Sequence, residues 1–249
     1  MRFTEIPFFL SEFPRLPKAD LLLGSDATSL EAYEHFTKPH PRLKIIQNKR
    51  WGVALFPLPP SFEEYLKLVH DEVRAKRRKC ERAGFYYQPF DAFDRAEDIM
   101  EIHLSMPVRQ GRPMDADYVD PQRVRAFFER RRGLHGIFDK GGKLRAYAYA
   151  PIVGQTFHYQ RLLGHETSLK TGVMYFLITE VVRVMMEKRG ATGEPSWAMY
   201  DTFFGASRGL REFKMKFGFR AYKVNWLTCV RAPRTTEESQ TFRHCEENL

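Results

Sequence analysis

Along the chain, short β-type alternations of apolar and polar residues interleave with stretches whose apolar residues recur every three or four positions. These two periods separate a half-buried strand from an amphipathic helix. The first sixty residues predict short strands at Leu21–Leu23, Leu43–Ile46 and Gly52–Pro57, and a short helix over Leu30–Phe36. Pro57, Pro59 and Pro60 close that portion. Ser61 with Glu64 three positions later makes a capping box, and Phe62, Leu66, Val69, Val73 and Cys80 mark the buried stripe of one helix reaching Ala83, with Gly84 as its stop. A strand over Phe85–Phe90 and a helix over Ala96–His103 follow, and then a Pro- and Gly-punctuated loop from Met106 to Asp120. Pro121 suits the first turn of a helix running to Arg132, where Arg130, Arg131 and Arg132 meet the negative end of its dipole.

Leu134–Phe138 and Leu144–Val153, joined by Asp139-Lys140-Gly141-Gly142, form a hairpin by alternation and turn chemistry. Thr156–Leu163 adds a third antiparallel strand, with His158, Gln160 and Leu162 on one side and Phe157, Tyr159, Arg161 and Leu163 on the other. The helix over Leu169–Lys188 is too broadly apolar for a surface position. Trp197–Tyr200 is a buried strand that turns polar at Asp201, and after the small-residue break Gly205-Ala206-Ser207 the segment Arg208–Lys216 carries Leu210 and Phe213 at helical spacing. Gly218 stops that helix, and a last strand covers Phe219–Val230. The sum is an α/β (α+β) domain over residues 61–230, with a mixed, mostly antiparallel sheet flanked by helices. A reduced β-rich portion over 1–60 precedes it, and a polar, aperiodic tail over 231–249 follows.

Composition adds a well-buried core, with 43% hydrophobic and 14% aromatic residues in 249. Forty Lys and Arg against 31 Asp and Glu leave a net +9, which favours polyanionic partners: nucleic acid, anionic lipid or a phosphate-bearing co-substrate. Cys80, Cys229 and Cys245 are odd in number and lack metal-ligand spacing, so neither a disulfide framework nor a metal site is expected. The N-terminus has no sustained signal-like core and no apolar run is long enough to span a membrane, so a cytoplasmic protein is expected.

Charge is concentrated. Arg74, Lys76, Arg77, Arg78, Lys79 and Arg82 make the second half of their helix either a solvated face or a seat for polyphosphate or nucleic acid. In the following loop Arg109 and Arg112 are placed to close over an anion. Near the C-terminus Asp201, Ser207, Arg208, Arg211, Lys214 and Lys216 gather where two strands separate. No G-x-S-x-G elbow is present, and no Cys, His and Asp spacing singles out a covalent triad.

The run Gly209-Leu210-Arg211-Glu212-Phe213-Lys214-Met215-Lys216-Phe217-Gly218 resembles the G-L-x-x-F-K-x-x-F-G signature of Fem-type aminoacyl/acyl transferases, a branch of the GNAT acyltransferase superfamily. RRKCERAGF resembles that family's R-x-x-x-R-x-A-x-x-x-G segment and VRQGRPMD its R-x-x-G-x-P loop, in the same order, across Pro60 to Val230. The resemblance implies a GNAT-type fold. It also implies transfer of an acyl or aminoacyl group from acyl-CoA, acylated carrier protein or aminoacyl-tRNA to an amine, without a covalent enzyme intermediate. Lys214 matches the lysine of the family's F-K pair, which is implied to neutralise charge on the reacting acyl group or donor.

Asp201 is the candidate for proton acceptance or amine positioning, with a turn cap as its other reading, and Tyr200, His158, Tyr159 and Arg161 are further candidates. Gly164, His165, Lys170, Thr171 and Gly172 lie where GNAT enzymes set a Q/R-x-x-G-x-G/A turn against the pyrophosphate of coenzyme A. Here that consensus is absent, and Gly172 and Lys170 remain for comparable work, with Ser207 and Arg208 as further donor contacts. Fem-type enzymes carry two tandem halves, and residues 1–60 are too short for a first half. Two other readings stay open: a non-catalytic GNAT-fold protein holding RNA or DNA on the basic helix, and an acyltransferase whose amine is borne by a nucleic acid. An open cleft near Gly164 and Asp201 with Lys214 facing it favours the enzyme, and a filled one favours the binding module.

Overall fold

The computed structural model describes residues 13–40, 44, 46–109, 111–189, 193–204 and 206–228; Gly205, Cys229, Cys245, the polar tail and two of the four residues of the strand expected at 43–46 lie outside the described residues. The strands are β1 (Lys18–Leu23), β2 (Trp51–Pro57), β3 (Tyr86–Phe90), β4 (Val108–Arg109), β5 (Arg112–Pro113), β6 (Leu134–Phe138), β7 (Leu144–Tyr149), β8 (Ile152–Val153), β9 (Thr156–His158), β10 (Arg161–Gly164), β11 (Trp197–Thr202) and β12 (Arg220–Thr228). The helices are α1 (Ala27–Thr37), α2 (Phe62–Leu68), α3 (Asp71–Arg82), α4 (Ala96–Leu104), α5 (Ala116–Val119), α6 (Pro121–Phe128), α7 (Glu166–Leu169), α8 (Val173–Glu187) and α9 (Arg208–Lys216).

A six-stranded mixed sheet runs β1-β12-β2-β11-β9-β8, and a four-stranded antiparallel sheet runs β10-β7-β6-β3. β2 is apolar on both faces because both are covered. Val53 and Leu55 enter one core with Phe36 of α1, while Ala54 and Phe56 enter the other with Leu177 and Val181 of α8. The segment before residue 60 therefore supplies a central strand: β2 pairs with β11 on one side and β12 on the other.

The two sheets are joined at Tyr159 and Gln160. β9 runs parallel to β11 up to the His158–Met199 pair, and β10 pairs antiparallel with β7. Between them Tyr159 N–H still donates to Met199 O (3.0 Å), while Gln160 N–H already donates to Tyr149 O (3.0 Å). The strand expected over Thr156–Leu163 is thus two strands. It changes hydrogen-bond partner midway, and β10 and β11 part from that point. Three consecutive antiparallel strands leading into a helix is the order that the Fem-type resemblance implies.

The helix expected over 61–83 is also two. Val69 is extended (φ −77°, ψ 155°), and His70 starts the second helix by accepting the Glu72 N–H on its ring. The freed groups are satisfied: Arg74 donates to Leu66 O (2.7 Å) and Val69 O (3.2 Å), and His70 N–H donates to Lys216 O (2.8 Å). At the end of α6 the helix stops at Phe128 rather than Arg132, and Arg131 and Arg132 fold back to donate to Phe127 O and Phe128 O. The helix expected over 169–188 divides at Gly172, whose φ of +95° caps α8. A Cβ there would stand 2.9 Å from Lys76 O, so glycine lets α3 and α8 touch by their backbones.

Candidate functional site

Where β10 and β11 part, a cavity of about 170 Å³ opens. Leu162, Leu163 and Gly164 of β10 and Tyr200 of β11 form its strand walls, and Leu169, Met174, Leu210 and Phe213 bring in α7, α8 and α9. Ile102 of α4 and Met106, Arg109 and Met114 from the segment after it also line the cavity. A Cβ on Gly164 would meet Met174 Sδ at 2.6 Å, so a bare backbone here keeps α8 close to the strand. A larger groove of about 620 Å³, lined by Glu97, Glu101, Ser105, His165 and Glu166, is a separate acidic surface and not the place where the strands part.

Lys214 sits beside the cavity without lining it. Ser207 caps α9 by accepting the Leu210 N–H, and that helix then buries Lys214 to 1% exposure. Its Nζ donates to Thr202 O (2.8 Å) and lies 4.7 Å from the centre of the Tyr200 ring. Burial, reinforced by Lys49 and opposed by Asp201, lowers its pKa to about 8. Tyr200 is pushed up to about 12, chiefly by burial with Arg109 opposing, so its phenol is a protonated donor at neutral pH. Lys214 thus reaches the cavity through the Tyr200 ring.

Asp201 has a left-handed backbone (φ 53°) beside a register shift between Met199 and Thr202. Its half-exposed carboxylate pairs with Lys49. Lys49 is itself fixed by its backbone, which donates to Phe36 O (2.9 Å) and accepts from Trp226 Nε1 (2.6 Å). Burial pushes the Asp201 carboxyl up, but Lys49 outweighs it and Lys214 adds to the effect, so the group titrates below the carboxylate range and is a poor base. His158, paired in register with Met199, is buried and held near pKa 4 by burial, so its ring is neutral. Asp201→Asn keeps a residue that tolerates this backbone and removes the charge. A carboxyl with a depressed folded pKa contributes its stability above its ordinary value of 3.8 and loses it as pH falls through the lower folded value. Thermal melts from about pH 6 to about pH 2.5 are expected to fall less steeply for Asp201→Asn at the acid end; parallel curves would show that the Lys49 pair does not act on stability.

The expected donor turn lies beside the basic helix. Gly172 packs on Lys76 O, and Lys79 Nζ approaches Lys170 O (3.5 Å). Thr171 Oγ1 donates to Ser168 O (2.6 Å), and His165 caps α7. No side chain caps α8 at Gly172; the exposed Lys170 and Lys79 stand beside a first turn in which Val173 is buried and the Tyr175 N–H donates to Gly172 O (2.9 Å).

Other expected residues are spent inside the fold or stand apart. Arg74 serves the end of α2, and Arg77 pairs with buried Glu180 (2.8 Å), so of the three expected anion-binding arginines on α3 it is Arg78 that stands exposed. Arg109 donates to Leu162 O (2.8 Å) and lines the cavity, Arg161 is buried, and Arg112 and Arg208 are exposed, the latter paired with Glu212 (2.8 Å). Two features had no sequence signal: Lys49, 152 residues from its partner, and Glu72, which accepts from Tyr175 Oη (2.9 Å) and Lys216 Nζ (2.6 Å) and so ties α3, α8 and α9 together. Among the described residues no group of His, Cys, Asp and Glu is gathered to hold a metal ion, and no helix is long and apolar enough to cross a membrane.

Neither a family model nor a curated protein sequence matches the chain. Among solved structures, that of FemX is similar with a TM-score of 0.55 at 10% identity, over 69% of this chain and 59% of that one. L-PGS from Bacillus licheniformis follows at 0.44 and 14% identity, over 69% of this chain and 59% of that one. An acetyltransferase of Trypanosoma brucei follows at 0.38 and 15%, over 61% and 98%. Only the first score is high enough to argue from, and the chain spans well under two thirds of the length of FemX. At that identity the likeness speaks to architecture. The strand order and the FemX superposition agree: the chain has the mixed α/β fold found in FemX.

Proposed function

We propose that the protein transfers an acyl or aminoacyl group from an activated donor, an acyl-CoA, an acylated carrier protein or an aminoacyl-tRNA, directly to an amine. The observation that carries this reading is the apolar cavity between β10 and β11, with the Tyr200 phenol in its wall and the Lys214 ammonium against that ring. In such a reaction the amine attacks the donor carbonyl, a C–N bond forms, and the ester C–O or thioester C–S bond breaks as the leaving group takes a proton. Protonated Tyr200 is suited to relay that proton, giving its own to the leaving oxygen or sulfur and taking the one the attacking amine sheds, and Lys214 is suited to offset negative charge developing beside it in a poorly hydrated site. Asp201, ionised and paired with Lys49 outside the cavity lining, is suited to attracting the amine in its cationic form, which sheds one proton to solvent before it attacks. Donor phosphates would lie beside the start of α8, between Lys170 and Lys79. The cavity is open at Gly164, which favours transfer, but Lys214 and Asp201 stand outside its lining, so the expected arrangement is met only in part; the internal use of Arg74 and Arg77 thins the basic face on which the binding-module alternative depends.

The test is a thermal-shift and native mass-spectrometric survey with acetyl-CoA, longer acyl-CoA species, acylated carrier protein and charged tRNA, each on the wild type and on Lys170→Ala. One donor class is expected to stabilise the wild type by a few degrees, with the gain reduced in the variant. If no donor binds while uncharged RNA or DNA does, with a steep salt dependence, the transfer reading fails and the surface around Arg78 becomes the site.

A further inference from the structure

Arg161 carries a buried charge surrounded by the Tyr118, Phe127 and Phe128 rings and by neutral oxygens, including the Tyr147 hydroxyl, with no carboxylate against it among the described residues. Its side chain is 6% exposed, lies 3.6 Å from the centre of the Phe127 ring and 4.6 Å from that of Tyr118, and donates from Nη2 to Asp117 O (3.0 Å). Its Nη1 is buried without a partner, and no carboxylate among the described residues pairs with it. Arg77 shows the ordinary solution, a buried glutamate at 2.8 Å. A guanidinium taken out of water with a donor unsatisfied costs several kcal/mol unless something completes it.

The surroundings deepen the imbalance. His103 lies 2.6 Å from Tyr147 Oη through Nε2 and 2.6 Å from Tyr118 O through Nδ1. Burial, with both Arg161 and Arg109 acting in the same sense, holds its pKa near 4. It is therefore neutral and offers no countercharge. Arg109 lines the cavity with Ile102, next to His103, and Leu163, two residues along β10 from Arg161; Arg161 itself lies behind that wall. Two arginines converge on one neutral His–Tyr pair. Planar guanidinium forks match carboxylate and phosphate oxygens better than any other common ligand group.

We propose that Arg161 and Arg109 form a subsite for an oxyanion, a carboxylate or a phosphate, borne by the acceptor molecule, entered from the cavity when the Tyr118 and Phe127 rings lift off the guanidinium. Assignment to the acceptor rests on the transfer reading; the oxyanion subsite does not.

Thermal melts at constant ionic strength with sodium phosphate, sodium succinate and sodium chloride test it. At about 20 mM, phosphate or succinate is expected to raise the wild-type Tm by about 4 °C over chloride, and whichever does so identifies the chemistry. Arg161→Met should abolish the gain. Its ligand-free Tm should stay unchanged or rise, because an uncompensated buried charge has been replaced by an apolar chain of similar length. Arg161→Lys, which keeps the charge and loses the fork, should weaken apparent binding at least about tenfold. A ligand-free Arg161→Met that melts several degrees lower and a wild type indifferent to both anions would overturn the proposal and leave Arg161 as a prop for the Asp117 carbonyl and the rings. An anion response equal in wild type and Arg161→Met would overturn it too. Donor binding, followed in the same variants, separates the two ideas: a wild type that responds to the anion through Arg161 but binds no donor keeps the subsite and loses the transfer reading.

Discussion

Lys214→Met is expected to lower the rate of acyl transfer by about a hundredfold to a thousandfold while leaving the protein at least as stable at neutral pH. The rate loss is the usual cost of removing a fixed group that offsets charge developing in an acyl-transfer transition state. Stability should move the other way, because the ammonium is 1% exposed and compensated by one carbonyl and two aromatic rings rather than by a contacting carboxylate. The folded pKa of about 8 lies below the ordinary 10.5, so between those values the unfolded chain holds more protons and wild-type stability rises with pH. The full shift corresponds to about 3 kcal/mol. The variant's advantage should therefore be greatest below pH 8 and close as pH approaches 10.5. Denaturant melts at several pH values, beside steady-state rates on whichever donor binds, check both parts. A gap independent of pH would refute the burial argument. Full activity in the variant would remove Lys214 from the site.

Gly172→Ala should be the most damaging small substitution near the site. A Cβ there would stand 2.9 Å from Lys76 O and 3.0 Å from Lys76 Cβ, on a backbone at φ +95°. Since a carbonyl in the middle of α3 cannot swing aside as a side chain can, α3 and α8 must separate, at a cost of about 3 kcal/mol or a Tm loss of about 9 °C. If donor phosphates lie beside the start of α8, donor binding should fall as well. A melt within a degree of wild type would mean that the two helices are not in backbone contact.

Much of this was legible because local signals were complete. The small-residue break ending at Ser207, Leu210 and Phe213 at helical spacing and Gly218 as stop define α9 and bring Lys214 near Tyr200 and Asp201; that Ser207 caps the helix rather than contacting a donor is seen only in the fold. The divided strand was not legible. Alternation from Thr156 to Leu163 continues unbroken while the backbone changes partner at Tyr159 and Gln160, and side-chain period carries no record of which strand accepts a hydrogen bond. The break at His70 was hidden the same way, since Phe62, Leu66, Val69 and Val73 keep their helical spacing across it. At the site, sequence told charge but not employment. Arg74 and Arg77 read as a cationic surface, yet carbonyls and Glu180 from other parts of the fold claim them. Lys49 carried no signal, because its pairing with Asp201 exists only once β2 lies beside β11.

The knee at Tyr159 and Gln160 makes the two walls of the cleft mechanically unequal. One wall consists of strands whose divergence is pinned by main-chain bonds on either side of a two-residue step, so widening it means breaking a sheet. The other consists of side chains, Met174, Leu210 and Phe213, which can change rotamer with the backbone in place. The strands act as a fixed jaw and the helices as an adjustable one. On the transfer reading, the bulk of group that the cleft admits is set by side chains of the helices and of the segment around Met106 and Met114, and can change without disturbing the sheet.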